Sequence, residues 1–402
     1  MNVIISPSKA TGEINAPASK SYAHRLLIAA ALAKGESVIK NIDINDDITV
    51  TVSCLEKLGA DIKFDGDTVV VKGITDEHKK EKLNLFCNES GSTLRFLIPI
   101  SFLFLENTVF TGNERLLERP QSVYETLFAE KGCYLRKAEN SLVSGGELKS
   151  GVYSMPGNVS SQFITGLLFA LPLLQGDSEI ALTTELQSAP YVDITIDVLK
   201  LFGIEIEKTN NGWFIKGNQE YKPQNCVCEC DWSNAAFLDA FNLIGGSVNV
   251  KGLNIESCQG DKIYREFYEK LSESNPSLDI SQCPDLGPVL IACAALKNGA
   301  YITGTERLKI KESDRGAAMA QELRKFGVFV EIGDNFIKIP PSDIKAPTEK
   351  IQCHNDHRIA MSFALLCSVT GGELVGAECV NKSYPEFFND IKKLGIKYQI
   401  TQ

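Results

Sequence analysis

The sequence predicts an α/β protein of two domains, each built from three copies of one unit of about 70 residues. Three observations point there. A polar or cationic head on an apolar run of helical length recurs six times, at Ser19-Lys20-Ser21, Gly91-Ser92-Thr93, Ser160-Ser161-Gln162, Trp232-Ser233-Asn234, Pro284-Asp285-Leu286 and Asn355-Asp356-His357-Arg358. Between these heads lies a more polar helix that ends in glycine and leads into an alternating strand or hairpin. Its closing glycines are Gly59, Gly132, Gly203, Gly327 and Gly395, and the double gap after Gly203 marks a copy near Leu271 that has lost its glycine. The length of 402 residues suits two or three domains, and six units divide into two threes.

The elements follow in order. Residues 1–18 read as a leading strand pair with Gly12 at the turn. Ser19 is placed to cap a helix in which Lys20, Ser21 and Arg25 fall in or near the first turn, before the Ala- and Leu-rich run to Gly35. Cations there oppose the helix dipole, so either the start is solvated or an anion completes it. Gly112-Asn113-Glu114-Arg115-Leu116-Leu117-Glu118-Arg119-Pro120 reads as a turn with two arginines, Pro120 taking the first helical position. Ser160, Ser161 and Gln162 offer neutral donors at a helix start, as plain caps or for a phosphate. The polar stretch 218–225 breaks the pattern and is expected to be a linker. Lys309-Ile310-Lys311-Glu312-Ser313-Asp314-Arg315 is the densest polar cluster and leads into a helix at 317–326. Capping by Ser313 or Asp314 and a Glu312–Arg315 surface pair would explain part of it. Two lysines and an arginine at a helix start point instead to an anion site, with a carboxylate tuned for proton transfer.

Composition narrows the function classes. The net charge of −10 argues against a nucleic-acid or anionic-membrane partner and makes the basic heads informative. The sequence shows no secretory leader and no apolar run of the ~18 residues a span needs. The 12 cysteines mostly occupy apolar helical contexts, so buried thiols are expected. Cys226-x-Cys228-x-Cys230 lacks metal spacing, and His354 and His357 have no evident third ligand. No metal and no cofactor is expected.

The heads, in this order, resemble the 5-enolpyruvylshikimate-3-phosphate synthase (3-phosphoshikimate 1-carboxyvinyltransferase) family over the whole length. The resemblance rests on Ser19-Lys20-Ser21 with Arg25, Glu89-Ser90-Gly91-Ser92-Thr93-Leu94-Arg95, Glu114-Arg115 with Glu118-Arg119-Pro120, Ser160-Ser161-Gln162-Phe163, Lys311-Glu312-Ser313-Asp314-Arg315, Asn355-Asp356-His357-Arg358 and Asn381-Lys382-Ser383. It implies two inside-out, barrel-like α/β domains of three βαβαββ repeats each, residues 1–19 with 230–402 and residues 20–229, with the active site in the cleft between them. It implies transfer of the enolpyruvyl group of phosphoenolpyruvate to the 5-hydroxyl of shikimate 3-phosphate through a tetrahedral intermediate. That step belongs to chorismate and aromatic amino-acid biosynthesis. A cytoplasmic monomer that closes on its ligands is the expected form.

Carried over position by position, the resemblance assigns shikimate 3-phosphate to Lys20, Ser21, Arg25, Ser160, Ser161, Gln162, Ser188, Tyr191, Asp285, Arg307 and Lys311. It assigns phosphoenolpyruvate to Lys20, Gly91, Ser92, Arg119, Gln162, Arg315, Arg358 and Lys382, and the proton transfers to Asp285, Glu312 and Lys20. Glu89-Ser90 stands where the family has an Asn-Ala pair, Ser92 for a Thr, Phe96 for a Pro, and Arg307 for an Asn near the substrate phosphate. The sister transferase acting on UDP-N-acetylglucosamine typically carries a reactive cysteine on the loop over its site. Residues 112–120 have none, and Cys133 lies beyond the next helix. A non-catalytic phosphosugar binder would do better without Glu312 and Asp285.

Overall fold

Helices fill the interior and sheets face outward, and local sequence explains why. The helix Lys20–Leu32 is Ala- and Leu-rich with no polar stripe, and Tyr22 through Leu32 are all buried. The helices Gly287–Leu296 and His357–Thr370 are likewise buried round nearly their whole circumference. The strands alternate instead: Asn2–Ser6 and Glu36–Lys40 bury every second residue against these helices and expose the others. The computed structural model describes residues 1–75 and 80–401. No helix among them is long and apolar enough to cross a membrane.

The chain forms two compact units, Ala18–Glu229 and Met1–Pro17 with Cys230–Gln402, each with its own hydrophobic core. The boundary falls before Ala18 because the Ala18 N–H donates to Asp43 (2.7 Å) and Ser19 caps the first helix, accepting from the Tyr22 N–H (3.4 Å).

Ala18–Glu229 holds three four-stranded sheets of one design. In each, a parallel pair is extended by an antiparallel hairpin, and in two of the three the pair is joined through a buried helix. Lys80–Phe86 pairs with Leu105–Thr111 in parallel, and the hairpin Tyr134–Ala138 and Ser141–Gly145 follows. Gly151–Met155 and Ser178–Leu182, with Ile206–Thr209 and Gly212–Ile215, repeat it. In the first sheet the leading strand comes from the far end of the unit: Asn225–Val227 lies parallel to Glu36–Lys40. Residues 218–225 are therefore no linker. They close the third repeat, with Tyr221 buried and donating to the Phe169 carbonyl (2.8 Å), and lead into that strand.

The other unit repeats the design with two changes. Its last sheet borrows Asn2–Ser6, which lies between Gly372–Val375 and Lys397–Thr401. Thr11–Asn15 pairs in parallel with Ser247–Lys251 in a two-stranded sheet. The expected strand pair at 1–18 is thus two strands of different sheets, and Gly12 lies within a strand rather than at a turn. The two-stranded sheet also explains the missing glycine. After the helix Tyr264–Lys270 the chain enters the next repeat at Ser277–Asp279 without forming a hairpin. The five closing glycines all take positive φ, between 77° and 120°, where the helix must turn sharply into the following strand or hairpin; the Leu271 position stays in the helical region at φ −63°.

Candidate active site

In Ala18–Glu229 the starts of four helices carry the expected donors. Lys20 and Ser21 open the first helix, Gly91 and Ser92 the helix Gly91–Phe104 capped by Ser90, and Ser161 and Gln162 the helix Ser161–Ala170 capped by Ser160. Ser188, held left-handed at φ 57°, opens Ala189–Leu201 and its Tyr191.

Side-chain contacts knit these starts together. Gln162 donates to the Ser92 hydroxyl (3.1 Å) and accepts from Arg95 (2.8 Å). Arg95 also donates to the Pro120 carbonyl (2.9 Å) and lies over the Phe163 ring at 4.6 Å. The Arg119 guanidinium packs on Gly91. Pro120 does not open the following helix: Ser122–Glu130 is capped by Gln121, whose carbonyl takes its first bonds. Arg25 is buried among Thr195 (2.8 Å), Thr165 (3.4 Å) and the carbonyls of Ser21 (2.8 Å) and Tyr191 (2.9 Å), and it lies over the Phe96 ring at 5.1 Å. Burial lowers its pKa to about 10, which still leaves it charged at neutral pH. Lys20 is ion-paired with Asp47 (2.9 Å).

In the other unit the cluster is tighter and contains carboxylates. Arg315, 1% exposed, holds three of them: Asp285 (2.8 Å), Glu312 (2.7 Å) and Asp356 (2.9 Å). The Glu312–Arg315 pair is therefore a partly buried contact and not the surface pair that spacing alone allowed. Asp285 is also bound by Lys311 (3.1 Å) and Arg358 (3.2 Å). Burial pushes the Asp285 carboxyl up, but Arg358, Lys311 and Arg315 outweigh it and hold the group well below the usual carboxylate range. Asp314 caps the helix Arg315–Lys325, which begins two residues before the expected 317. Asp356 caps His357–Thr370 and takes the Ser313 hydroxyl (3.0 Å). Lys382 joins through the Asn355 carbonyl. Arg307 donates to the Ser281 carbonyl (3.1 Å). His354 bonds to Glu322, and no group of three or more metal-ligating side chains occurs among the described residues.

Sequence reasoning missed Asp47, Thr165 and Thr195, which grip Lys20 and Arg25, gave Asp356 no role, and counted Arg95 among the charge-offsetting cations without assigning it to either substrate. Asp356 lies inside Asn355-Asp356-His357-Arg358, and its place as a helix cap is the available signal. Thr165 and Thr195 carry no local signal.

Repeated inside-out α/β units that present cations, hydroxyls and backbone N–H groups at helix starts, with carboxylates held among the cations, define a class of anion-handling α/β protein with acid–base groups at hand. The comparisons narrow that class. The profile described as EPSP synthase (3-phosphoshikimate 1-carboxyvinyltransferase) matches residues 4–391. The chain is 44% identical over 423 aligned positions to the 3-phosphoshikimate 1-carboxyvinyltransferase of Clostridium acetobutylicum, covering 98% of each, and 43% identical to that of Clostridium kluyveri, covering 98% of this chain and 97% of the relative. It therefore belongs to the EPSP synthase (3-phosphoshikimate 1-carboxyvinyltransferase) family. The solved EPSP synthase of Acinetobacter baumannii shares the fold at TM-score 0.78 and 21% identity, with both chains fully covered.

Proposed function

We propose that the chain is a 3-phosphoshikimate 1-carboxyvinyltransferase. It transfers the enolpyruvyl group of phosphoenolpyruvate to the 5-hydroxyl of shikimate 3-phosphate and releases phosphate. The observation that carries this reading is the Arg315 cluster, in which two proton-transfer carboxylates, Asp285 and Glu312, are held among cations suited to a carboxylate and a phosphate.

Shikimate 3-phosphate is read onto Ser160, Ser161, Ser188 and Lys311 through its phosphate and onto Ser21, Arg25, Gln162, Tyr191 and Asp285 through its ring and carboxylate, with Arg307 near the phosphate. Phosphoenolpyruvate is read onto Lys20, Gly91, Ser92, Arg119, Gln162, Arg315, Arg358 and Lys382. Its anionic groups then compete with Asp285 and Glu312 for the same guanidiniums. As Arg315 and Arg358 turn to the ligand, Asp285 shares the charges that depress its pKa and becomes a better base.

The 5-hydroxyl oxygen attacks C2 and its proton passes to Asp285, with Lys20 alongside. Glu312 delivers a proton to the C3 methylene, giving a methyl group in the tetrahedral intermediate. Glu312 then takes a proton back from that methyl as the C–O bond to phosphate breaks, and the hydroxyl proton leaves with the phosphate. Action as a monomer in a cytoplasmic setting belongs to the same proposal.

Phosphate release from phosphoenolpyruvate is expected with shikimate 3-phosphate as acceptor and not with UDP-N-acetylglucosamine. Release only with the sugar nucleotide would overturn the acceptor, and release with neither would overturn the reaction.

A glycine tests the phosphoenolpyruvate assignment. A Cβ on Gly91 would stand 2.5 Å from an Arg119 nitrogen, so Gly91→Ala must displace the guanidinium. The KM for phosphoenolpyruvate is expected to rise about tenfold or more while affinity for shikimate 3-phosphate holds. An unchanged KM in steady-state kinetics would remove Arg119 from that subsite.

A further inference from the structure

The turn between the strand Ile351–Gln352 and the helix His357–Thr370 carries part of the Arg315 cluster. It provides Asp356, starts the helix of Arg358, and offers the Asn355 carbonyl to Lys382. Its backbone is strained. His354 and Asn355 are consecutive residues at φ 51° and 52°, the left-handed region that a side chain with a Cβ resists. Such strain persists only where the surroundings hold it.

Part of the hold is local: the Asp356 N–H donates to the Cys353 carbonyl (2.9 Å), and Lys382 grips Asn355. Glu322 adds a further hold. This residue is fully buried on the helix Arg315–Lys325, about two turns beyond Arg315. One of its oxygens lies 2.9 Å from Nε2 of His354, the first strained residue. The other accepts from the Gln352 N–H (2.9 Å), in the strand just before the turn, and from Lys325 (2.6 Å). Lys325 also donates to the Lys350 carbonyl (2.7 Å). Helix and turn are thus joined twice, by Arg315 to Asp356 and by Glu322 to His354 and Gln352. Burial raises the Glu322 pKa, but the hydrogen bonds from His354, Lys325 and Gln352 outweigh it and bring it below the ordinary value. The carboxylate is the ionised acceptor this geometry needs.

We propose that Glu322 is a positioning residue for the reaction: by gripping Gln352 and the His354 ring it holds the 353–356 turn in its strained form, and so places Asp356, Arg358 and Lys382. Its kinetic readout rests on the reaction proposed above.

The test uses Glu322→Gln, His354→Ala and the conservative His354→Gln, whose amide can still donate to Glu322. Steady-state kinetics of the full chain are expected to show a KM for phosphoenolpyruvate raised about tenfold in the first two, with kcat changed much less. Calorimetric affinity for shikimate 3-phosphate should stay within about twofold, and His354→Gln should recover most of the loss. Amide hydrogen exchange across residues 353–358 should quicken in the same two variants. Folded variants with wild-type KM and wild-type exchange would overturn the proposal. So would an equal loss of affinity for both ligands, which marks general loosening. If Glu322→Gln does not fold, the two His354 variants carry the test. If wild-type protein releases no phosphate with these substrates, the reaction fails as a reading, and exchange across 353–358 alone decides the clamp.

Discussion

Glu312→Gln is expected to bind both substrates and to lose turnover about 10²–10⁴-fold, the usual span for a positioned acid–base group. The substitution is mild for the structure. Glutamine keeps an oxygen that can accept from Arg315, and Arg315 retains Asp285 and Asp356. What it loses is the proton that the proposed mechanism passes to the C3 methylene and later takes back. Equilibrium binding of each ligand together with single-turnover phosphate release separates the two effects. Near-normal turnover would remove Glu312 from the chemistry and leave it as a counter-ion of Arg315.

Arg315→Ala is expected to be the most damaging single change in the cluster. Three carboxylates share this guanidinium, and Asp356 beside it is fully buried. Removing one partner of a buried ion pair typically costs about 3–5 kcal/mol, because the remaining charge is stranded. Arg315→Lys keeps the charge but not the planar fork that reaches three acceptors, so it should recover only part of the loss.

The acid side provides a second readout. Asp285 has a depressed pKa in the folded protein, so its contribution to stability is complete above its ordinary value of 3.8 and fades as pH falls through the lower folded value. Without Arg315, burial weighs more heavily on that pKa. It rises, so the contribution shrinks and is lost at a higher pH. Denaturant unfolding between neutral pH and pH 3 measures both effects. A variant as stable as wild type throughout would mean that Lys311 and Arg358 suffice for Asp285 and that Asp356 finds another donor.

Much of the candidate site was legible because its chemistry is local. Lys20, Gly91, Ser161 and Gln162 stand at or next to helix starts, and caps such as Ser19, Ser90 and Ser160 mark those starts in the sequence. Lys311, Glu312 and Arg315 fall within five residues of one another, and their density was itself the signal. What could not be read was which cation meets which anion. The Arg25 pocket draws on Thr165 and Tyr191, 140 and 166 residues away, and the Arg315 cluster on Asp285 and Asp356, 30 and 41 residues away.

The same division holds for the architecture. By itself the sequence determined the repeating unit, the buried character of its helices, the glycine at each hairpin entry and the roster of donors. Those follow from propensity, capping and periodicity, which act over a few residues. Only the tertiary structure decided that Asn2–Ser6 completes the last sheet, that Asn225–Val227 opens the first, and that the fourth repeat lacks its hairpin. It alone set Asp285 and Glu312 on the guanidiniums of Arg315 and Arg358. Strand pairing and ion pairing are satisfied by whichever partners the folded chain brings together, and a local pattern does not name a partner hundreds of residues away.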